Sequence, residues 1–315
     1  MSTARRIPPD HGLSVRMFMT GLMMVILYGV VIGLLIAVGI NFAVVLVFAA
    51  IILFVQYWFS DKIALFGMHG RIVTPEQAPQ LHGVIDRLCA MADMKKPRVA
   101  IADVDMPNAF ATGRSPKSAV VCATTGLMRR LDEPELEAVL SHELSHVAHR
   151  DVAIMTIASF LGMVAGLVTR VMLWTGLIGG FGGGGRGGGG GNRGGGGNVV
   201  LIEMGVLLVS IIVYAISFLL TMALSRYREL AADRSGALLT GRPSALASAL
   251  VKVTGEMSRI PTRDLRSAES FNAFFFTPAI AKNGVSLSTL FSTHPSLDKR
   301  LAQLSRIEAE LGRPS

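Results

Sequence analysis

Long apolar runs dominate the chain and predict helices that cross a membrane. Residues 17–60 carry no charged side chain over 44 positions, whereas one membrane span needs only about 20 residues. Two helices fit into this run, with a turn near Gly39 to Asn41. Two further apolar runs cover residues 152–181 and 199–224. The pattern therefore predicts four transmembrane helices.

Each of the last two runs contains one charge, Arg170 in the third and Glu203 in the fourth. Unpaired charge is costly within a membrane, so these two side chains either pair with each other or reach an interface. The alternative for this pair of runs is a buried hairpin of a soluble domain, but their spanning length favours the membrane. The first run is too long for a cleaved signal peptide, so we expect it to remain in the mature chain.

The polar segments between the spans predict which side of the membrane each part occupies. Basic residues flank the four spans on one common side, which the positive-inside rule assigns to the cytoplasm. We therefore expect residues 1–16, 61–151 and 225–315 in the cytoplasm. The loop 182–198 is expected on the opposite side. It belongs to a glycine-rich tract that has almost no side chains to bury and forms no packed core.

Composition supports the membrane assignment. Apolar residues make up 51% of the chain and charged residues only 17%, which is too apolar for one or two soluble domains. The net charge of +8 is expected to attract anionic lipid headgroups near the spans. Basic and aromatic residues do not alternate in any pattern that would indicate nucleic-acid binding, so membrane lipids are the expected partners. Cys89 and Cys122 are isolated and indicate neither a metal knuckle nor a disulfide.

The segment 61–151 is predicted to be a small α and β unit. Three β-like runs occupy residues 98–105, 108–113 and 118–127, separated by turn residues, and predict a sheet of about three strands. A helix is predicted before them. Its expected signals are Thr74 as the N-cap, Pro75 as the first helical residue and Gln77 in a capping box.

A second helix is predicted after the strands, where Asp132 and Glu135 again have capping-box spacing. The segment 225–315 is mostly helical by pattern. Within it, residues 269–286 are apolar and rich in turn signals, and we expect a loop that lies on a functional site or on lipid headgroups.

The candidate chemistry lies at the end of this second helix. His142 and His146 are four residues apart, so they share one helix face and can bind one tetrahedral zinc ion. Glu143 stands beside the first histidine, where it can take a proton from water and pass it to a leaving amine. The pattern is H-E-x-x-H on a helix, which is typical of metalloproteases.

His149 lies on roughly the same face but is about 10.5 Å along the helix axis from His142, too far for one ion to bind both. A site built from His146 and His149 would leave Glu143 without a role. The alternative for His149 is a polar residue at the lipid interface. For His142 and His146, the alternative is a pair of helix histidines whose hydrogen bonds are satisfied by neighbours.

A catalytic zinc ion needs a third protein ligand and one open position. Glu229 follows the end of the fourth run by five residues, and His146 precedes the third run by six. Both positions therefore stand on the order of 8–9 Å from the membrane boundary. Asp233, one turn further, is placed to accept from the other nitrogen of a ligand histidine. The alternative for both acids is surface pairing with Arg226, Arg228 or Arg234.

At this point the sequence resembles the HtpX family of membrane zinc metalloproteases, which are relatives of the CaaX prenyl endopeptidases. The resemblance rests on four stretches that extend, with the paired spans, over most of the chain: "PNAFATG" at 107–113, "SHELSHVAHRD" at 141–151, "SRYRELAAD" at 225–233 and "FSTHPSLDKRL" at 291–301. The polyglycine tract is longer and more uniform than expected for that family.

The resemblance implies that His142, His146 and Glu229 bind one zinc ion per chain, with Glu143 as the general base. It also implies an edge strand at "NAFATG" on which substrate adds as a strand, so that Asn108 and Ala109 flank the cleft. The alternative for Asn108 is a turn residue after Pro107.

The resemblance further suggests that His294 approaches the active site and stabilises the oxyanion. The alternative is that "THP" begins a helix with Thr293 as its cap.

Together these patterns predict a membrane protein that is mainly α, with four transmembrane helices and a cytoplasmic α+β zincin-like metalloprotease domain carrying a small β-sheet. The implied activity is cleavage of misfolded or damaged membrane proteins and unfolded polypeptides on the cytoplasmic side. One alternative is a prenyl-protein endopeptidase, for which the resemblance implies more spans and an intramembrane chamber. Another is a non-enzymatic membrane scaffold that binds metal, which would need no base such as Glu143.

Overall fold

The fold is described from a computed structural model of the chain. Residues 57–151, 196–259 and 294–312 are described without a break, together with isolated positions between 15 and 55 and between 154 and 166. More than half of the residues in the first two predicted spans, nearly all of the third span and most of the glycine-rich loop therefore lie outside the described residues. The same holds for the predicted loop at 269–286.

The elements follow the order expected for a mixed α and β unit carried by helices. In chain order they are α1 (Ser60–Gly67), β1 (Gly70–Ile72), α2 (Pro79–Ala92), β2 (Arg98–Ala102), β3 (Ala109–Thr112), β4 (Val120–Thr124), α3 (Thr125–Arg130), α4 (Glu133–Ala148), α5 (Gly196–Thr240), α6 (Pro243–Arg259) and α7 (Leu297–Leu311). The described residues within 55–155 and 222–312 form one compact unit, and the apolar residues within 18–54 and 156–221 form another.

The four strands form one mixed sheet in the order β1-β2-β4-β3. β2 and β4 are parallel in the centre, while β1 and β3 are antiparallel to their neighbours. The three predicted strands are therefore confirmed. β1 was not predicted, because its three residues are too short to show an alternating pattern. β3 lies at an edge of this sheet, paired with β4 along one side.

The helix α4, which carries the H-E-x-x-H motif, begins at the predicted capping box. Oδ1 of Asp132 accepts from the main-chain N–H of Glu135 at 3.0 Å, and Oε2 of Glu135 accepts from the N–H of Asp132 at 3.1 Å. The other contacts of the Glu135 carboxylate, with Ser248 and Lys252, tie the start of α4 to α6. This fixed start sets the register in which the motif residues face their partners.

The predicted start of α2 at Pro75 is wrong by four residues, since the helix begins at Pro79. The predicted contact between Thr74 and Gln77 is made, with Oε1 of Gln77 accepting from Thr74 N at 3.0 Å. It closes a turn, however, in which the carbonyl of Thr74 accepts from the N–H groups of Gln77 and Ala78. The capping pattern therefore marks a turn that precedes the helix.

The helix α5 is the element that joins apolar and polar parts of the sequence. Among the described residues, one helical stretch is long and apolar enough to cross a membrane, Leu207–Thr240, and its most apolar 18-residue window has a mean hydropathy of 2.5. It contains most of the fourth predicted span, and large apolar side chains such as Leu208 and Ile211 are exposed along it. The same helix continues without a break through Glu229 and Asp233, as the sequence predicts.

Close packing of α5 on α4 depends on Gly236. The hydroxyl of Ser141 donates to the carbonyl of Gly236 at 3.2 Å. A Cβ atom at position 236 would lie 2.9 Å from both the main-chain nitrogen of His142 and Oγ of Ser141. Because one of these neighbours is backbone, the contact cannot be relieved by a change of rotamer.

We expect Gly236→Ala to lower the free energy of unfolding by about 1–3 kcal/mol, the usual cost of overpacking a tight contact. Gly83→Ala, within α2, is the matched control because a Cβ there meets nothing within 4 Å. It should stabilise the helix by about 0.5–1 kcal/mol. Thermal denaturation of both variants in detergent measures the difference, and equal melting temperatures would contradict the packing argument.

Candidate metal centre

Three potential ligand atoms converge where α5 crosses the end of α4. Nε2 of His142 and Nε2 of His146 lie 3.2 Å apart. The carboxylate of Glu229 lies 3.7 Å from the first nitrogen and 3.5 Å from the second. Residues four apart on a helix share a face, which brings the histidines together, and the Gly236 contact brings α5 close enough for Glu229.

These distances suit a tetrahedral metal ion. Ligand atoms bound at about 2.0–2.1 Å in a tetrahedron lie about 3.3–3.4 Å from one another. The two imidazole nitrogens, 3.2 Å apart, are close to that value. Each nitrogen is nearest to a different oxygen of Glu229, Oε2 at 3.7 Å from His142 and Oε1 at 3.5 Å from His146, and one ligand atom from each residue lies within 4.8 Å of the others. Two imidazoles and one carboxylate leave a fourth position open, which is the arrangement of catalytic zinc sites.

Buried ion pairs support both histidines from behind. Nδ1 of His142 lies 3.0 Å from Oδ1 of Asp233. Arg300 binds the same carboxylate through two nitrogens, at 2.7 and 2.6 Å. Asp233 and Arg300 are almost completely buried. The role that the sequence predicts for Asp233 beside a ligand histidine thus matches its position.

His146 has an equivalent support that the sequence analysis missed. Its Nδ1 lies 2.5 Å from Oδ2 of Asp151, and Nε of Arg228 lies 3.0 Å from the same oxygen. Burial alone would raise the pKa of Asp151, but the charge of Arg228 and the hydrogen bond with His146 lower it to about 2. Asp151 is therefore a carboxylate, and it can only accept.

The supporting carboxylates decide where the imidazole protons reside. Because Asp233 and Asp151 accept only, a neutral ring carries its hydrogen on Nδ1 and presents a lone pair on Nε2. Both lone pairs then face each other and the carboxylate of Glu229. Burial lowers the pKa of His142, but hydrogen bonds to Asp233 and Glu229 outweigh this and raise it to about 9. The cluster therefore attracts positive charge, as a metal site must.

Glu143 lies beside the three ligands and is buried. Burial raises the pKa of the Glu143 carboxyl group. The charges of His142 and His146 lower this pKa, the charge of Glu229 raises it, and the net shift is upward. A main-chain hydrogen bond from Ala111 stabilises the carboxylate. A carboxyl group whose pKa is raised holds a proton more readily and is better suited to exchange it with water and a leaving group. The contact with Ala111 also places the β3 edge of the sheet against the motif helix.

The two residues predicted to flank a substrate cleft differ in position. Asn108 is fully buried, and its main-chain N–H and C=O both bind Thr124 of β4, each at 2.9 Å. Main-chain groups alternate in direction along an antiparallel strand. Since Asn108 faces β4, the main-chain groups of Ala109 and Ala111 point to the outer edge, and the N–H of Ala111 reaches Glu143.

His294 is buried and lies against the third ligand, with Nδ1 at 3.1 Å from Oε2 of Glu229. Burial would raise the pKa of Glu229, but the charge of His294 and the hydrogen bond with His142 hold it well below its usual value. The alternative helix start capped at Thr293 is wrong, because α7 begins at Leu297 after Ser296.

The surface-pairing alternative for Glu229 and Asp233 does not match their positions, because both are buried. Of the arginines considered for it, Arg228 pairs with Asp151 and Arg234 with Glu310. His149 ends α4 as its C-cap and lies outside the three-donor cluster found among the described residues.

Three residues of the site were missed by the sequence analysis: Asp151, Arg228 and Arg300. Asp151 was visible as an acid five residues after His146. Arg228 and Arg300 lie within the stretches quoted for the family resemblance, but no local spacing indicated their partners, which lie 77 and 67 residues away along the chain.

The comparison with known families agrees with this geometry. Residues 75–308 match the family model described as peptidase family M48. The chain belongs to peptidase family M48. It is therefore a metal-dependent protease, and the cluster of His142, His146 and Glu229 lies within the matched residues.

Relatives of this M48 peptidase extend over nearly the whole chain. "Protease HtpX homolog 1" of Streptomyces coelicolor is 55% identical over 98% of this chain and 96% of its own length. "Protease HtpX homolog" of Moorella thermoacetica is 51% identical over 98% of both chains. The protein of that name from Pyrococcus furiosus is 38% identical over 96% of this chain and 98% of its own. The resemblance to HtpX proteases is thus confirmed.

One solved structure shows the fold of this M48 peptidase. The crystal structure of S. mikatae Ste24p matches 94% of this chain and 67% of its own with a TM-score of 0.51 and 16% identity. At that identity the match establishes a shared fold, in which a small mixed sheet accompanies a mostly helical chain.

Proposed function

We propose that this protein is a zinc endopeptidase in which His142, His146 and Glu229 bind one zinc ion per chain. The observation that carries the proposal is that one ligand atom each from His142, His146 and Glu229 lies within 4.8 Å of the other two. Two imidazoles with one carboxylate and an open fourth position suit zinc better than magnesium or calcium, which prefer oxygen ligands.

The residues around this position divide the chemistry of peptide hydrolysis between them. Zinc, when bound, supplies a Lewis acid for the scissile carbonyl and for water. Glu143 acts as the general base: its carboxylate takes a proton from water and later gives it to the leaving amine. Its burial supports this role, because the raised pKa keeps the proton transferable in both directions. Asp233 and Asp151 hold the two imidazoles in place.

We propose that substrate lies along the outer edge of β3. The outward main-chain groups of Ala109 and the outward carbonyl of Ala111, whose N–H binds Glu143, would pair with an extended peptide that adds a strand to the sheet. Asn108, the residue before β3, supports this edge because its main chain binds Thr124. Main-chain pairing demands little of the substrate's side chains, so unfolded polypeptides of many sequences are the proposed substrates. The oxyanion role of His294 stays a prediction, and its contact with Glu229 supports a role in holding the third ligand.

The proposed place of action is the cytoplasmic face of a bacterial inner membrane. Four spans, with both termini and the catalytic unit in the cytoplasm, follow from the apolar runs and their basic flanks. The continuous helix α5, apolar before residue 225 and carrying Glu229 after it, supports a site close to the membrane surface. Misfolded or damaged membrane proteins, whose loosened segments emerge at that surface, are the proposed targets.

Glu229→Gln tests the proposed metal site, because an amide is a far weaker zinc ligand than a carboxylate. We expect purified wild-type protein to bind about one zinc ion per chain and to cleave casein, and the variant to lose both. Glu256→Gln is the matched control, since Glu256 pairs with Arg130 away from the site. Metal content and casein cleavage are measured side by side. Zinc that remains bound to Glu229→Gln at full occupancy, or activity equal to wild type, would contradict the proposal.

A further inference from the structure

We propose that Asp151, braced by Arg228, is a positioning residue that holds His146 with Nε2 directed at the metal and ties this ligand to the helix of Glu229. The inference rests on the proposed function, because it concerns the second histidine of the proposed zinc site. It assigns a role to a carboxylate and an arginine that lie outside the H-E-x-x-H motif and outside the third-ligand position.

The chain path brings Asp151 back to the motif. The helix α4 ends at Ala148, and Arg150 adopts a left-handed conformation with φ of 56°. This conformation is uncommon for a residue other than glycine, and it stands directly after the end of the helix. Asp151, the next residue, is 1% exposed and lies against the imidazole of His146 instead of facing solvent. The turn thus delivers a charged side chain to a buried position beside a ligand.

Both partners of Asp151 meet at one oxygen atom. Oδ2 is 2.5 Å from Nδ1 of His146 and 3.0 Å from Nε of Arg228. A carboxylate so placed keeps the imidazole hydrogen on Nδ1 and fixes the rotation of the ring. The arginine keeps the carboxylate charged in a buried environment and prevents its rotation away from the histidine.

The arginine also connects the two ligand-bearing helices. Arg228 directly precedes Glu229 on α5, so its contact with Asp151 joins the end of α4 to the position of the third ligand. Asp233 and Arg300 repeat this arrangement at His142. Each histidine therefore has its own buried carboxylate, and each carboxylate has its own arginine.

The competing explanation is that Asp151 and Arg228 form an ion pair that only stabilises the fold. Asp61 provides the matched control for this explanation. It is also a buried aspartate paired with an arginine, with Oδ2 at 2.6 Å from Arg98, and the pair involves no histidine. Removing either aspartate leaves one arginine without its carboxylate. Only the removal of Asp151 also takes away the partner of His146.

The first measurement is the zinc dissociation constant of the full-length protein in detergent, by competition with a chelator. We expect Asp151→Ala to bind zinc about 10–100-fold more weakly than wild type, the usual loss when such a supporting group is removed. Asp151→Asn keeps one acceptor oxygen, so its zinc dissociation constant should lie between those of wild type and Asp151→Ala. Asp61→Ala should bind zinc within about twofold of wild type. Equal weakening by Asp61→Ala, or unchanged binding by Asp151→Ala, would overturn the inference.

The second measurement is independent of the metal. In metal-free protein labelled with 15N-histidine, the ring signals of His146, assigned by their loss in His146→Gln, report which nitrogen carries the hydrogen. We expect the Nδ1–H form in wild type and in Asp61→Ala, and a mixture of forms in Asp151→Ala. An unchanged form in Asp151→Ala would overturn the inference. Wild-type protein that binds no zinc would count against the proposed function, while the ring signals would still decide the role of Asp151.

Discussion

Glu143→Gln should abolish proteolysis while leaving the metal bound. The substitution keeps the size of the side chain but removes the carboxylate that accepts a proton from water, so we expect casein cleavage to fall by about 10²–10⁴-fold. The zinc content should stay near that of wild type, because Glu143 is not among the three converging donors. Initial rates and metal content, measured on the same preparations, check both parts of this result.

Glu137→Gln is the matched control for this experiment. Glu137 is a buried glutamate on the same helix, but it pairs with Arg87 and Arg242 instead of facing the ligands. We expect this variant to keep the activity of wild type. Proteolysis by Glu143→Gln at a rate within about tenfold of wild type would exclude Glu143 as the general base.

Arg300→Met should cause the largest loss of stability among substitutions outside the ligands. Arg300 is buried and binds both oxygens of Asp233, so its removal leaves a buried carboxylate without its cation. The expected cost is about 3–5 kcal/mol of unfolding free energy. Because Asp233 also supports His142, zinc binding should weaken as well. Denaturant unfolding in detergent measures the first effect and chelator competition the second.

Arg234→Met serves as the comparison for this variant. Arg234 lies on the same helix as Asp233, but its contact with Glu310 is long, at 3.6 Å, and partly exposed. Pairs of that kind contribute about 0–1 kcal/mol. A destabilisation by Arg300→Met that is no larger than that of Arg234→Met would show that Asp233 finds another partner in the variant.

The motif helix could be predicted from sequence in some detail. The capping box at Asp132 and Glu135 fixed its start, and the spacing of His142 and His146 placed both on one face. Glu229 was predicted from its distance to the end of an apolar run, which is a constraint that the membrane imposes. These features depend either on the geometry of a single helix or on a distance counted along the chain from the membrane. Both can be read from short stretches of sequence.

The supporting residues could not be predicted in the same way. Arg300 meets Asp233 across 67 positions of sequence, and Arg228 meets Asp151 across 77. No periodicity encodes which arginine packs beside which acid, since this depends on how α5 and α7 pack on α4. The turn at residues 74–78 was mistaken for helix because the same side-chain contact satisfies both. β1 was missed because three residues gain their strand conformation from pairing with β2.

The position of β3 at the sheet edge bears on how a protease can work among intact neighbours. In the proposed mode of binding, this edge pairs main chain to main chain, and it can engage only a chain whose own amide and carbonyl groups are free. In a native protein nearly all buried main-chain groups are already committed to helices, sheets and turns. A neighbour that keeps its fold therefore has nothing to offer such an edge, whereas one that has lost it exposes an extended segment. Discrimination between the two then needs no recognised sequence, because the folded state of the neighbour is itself the protection.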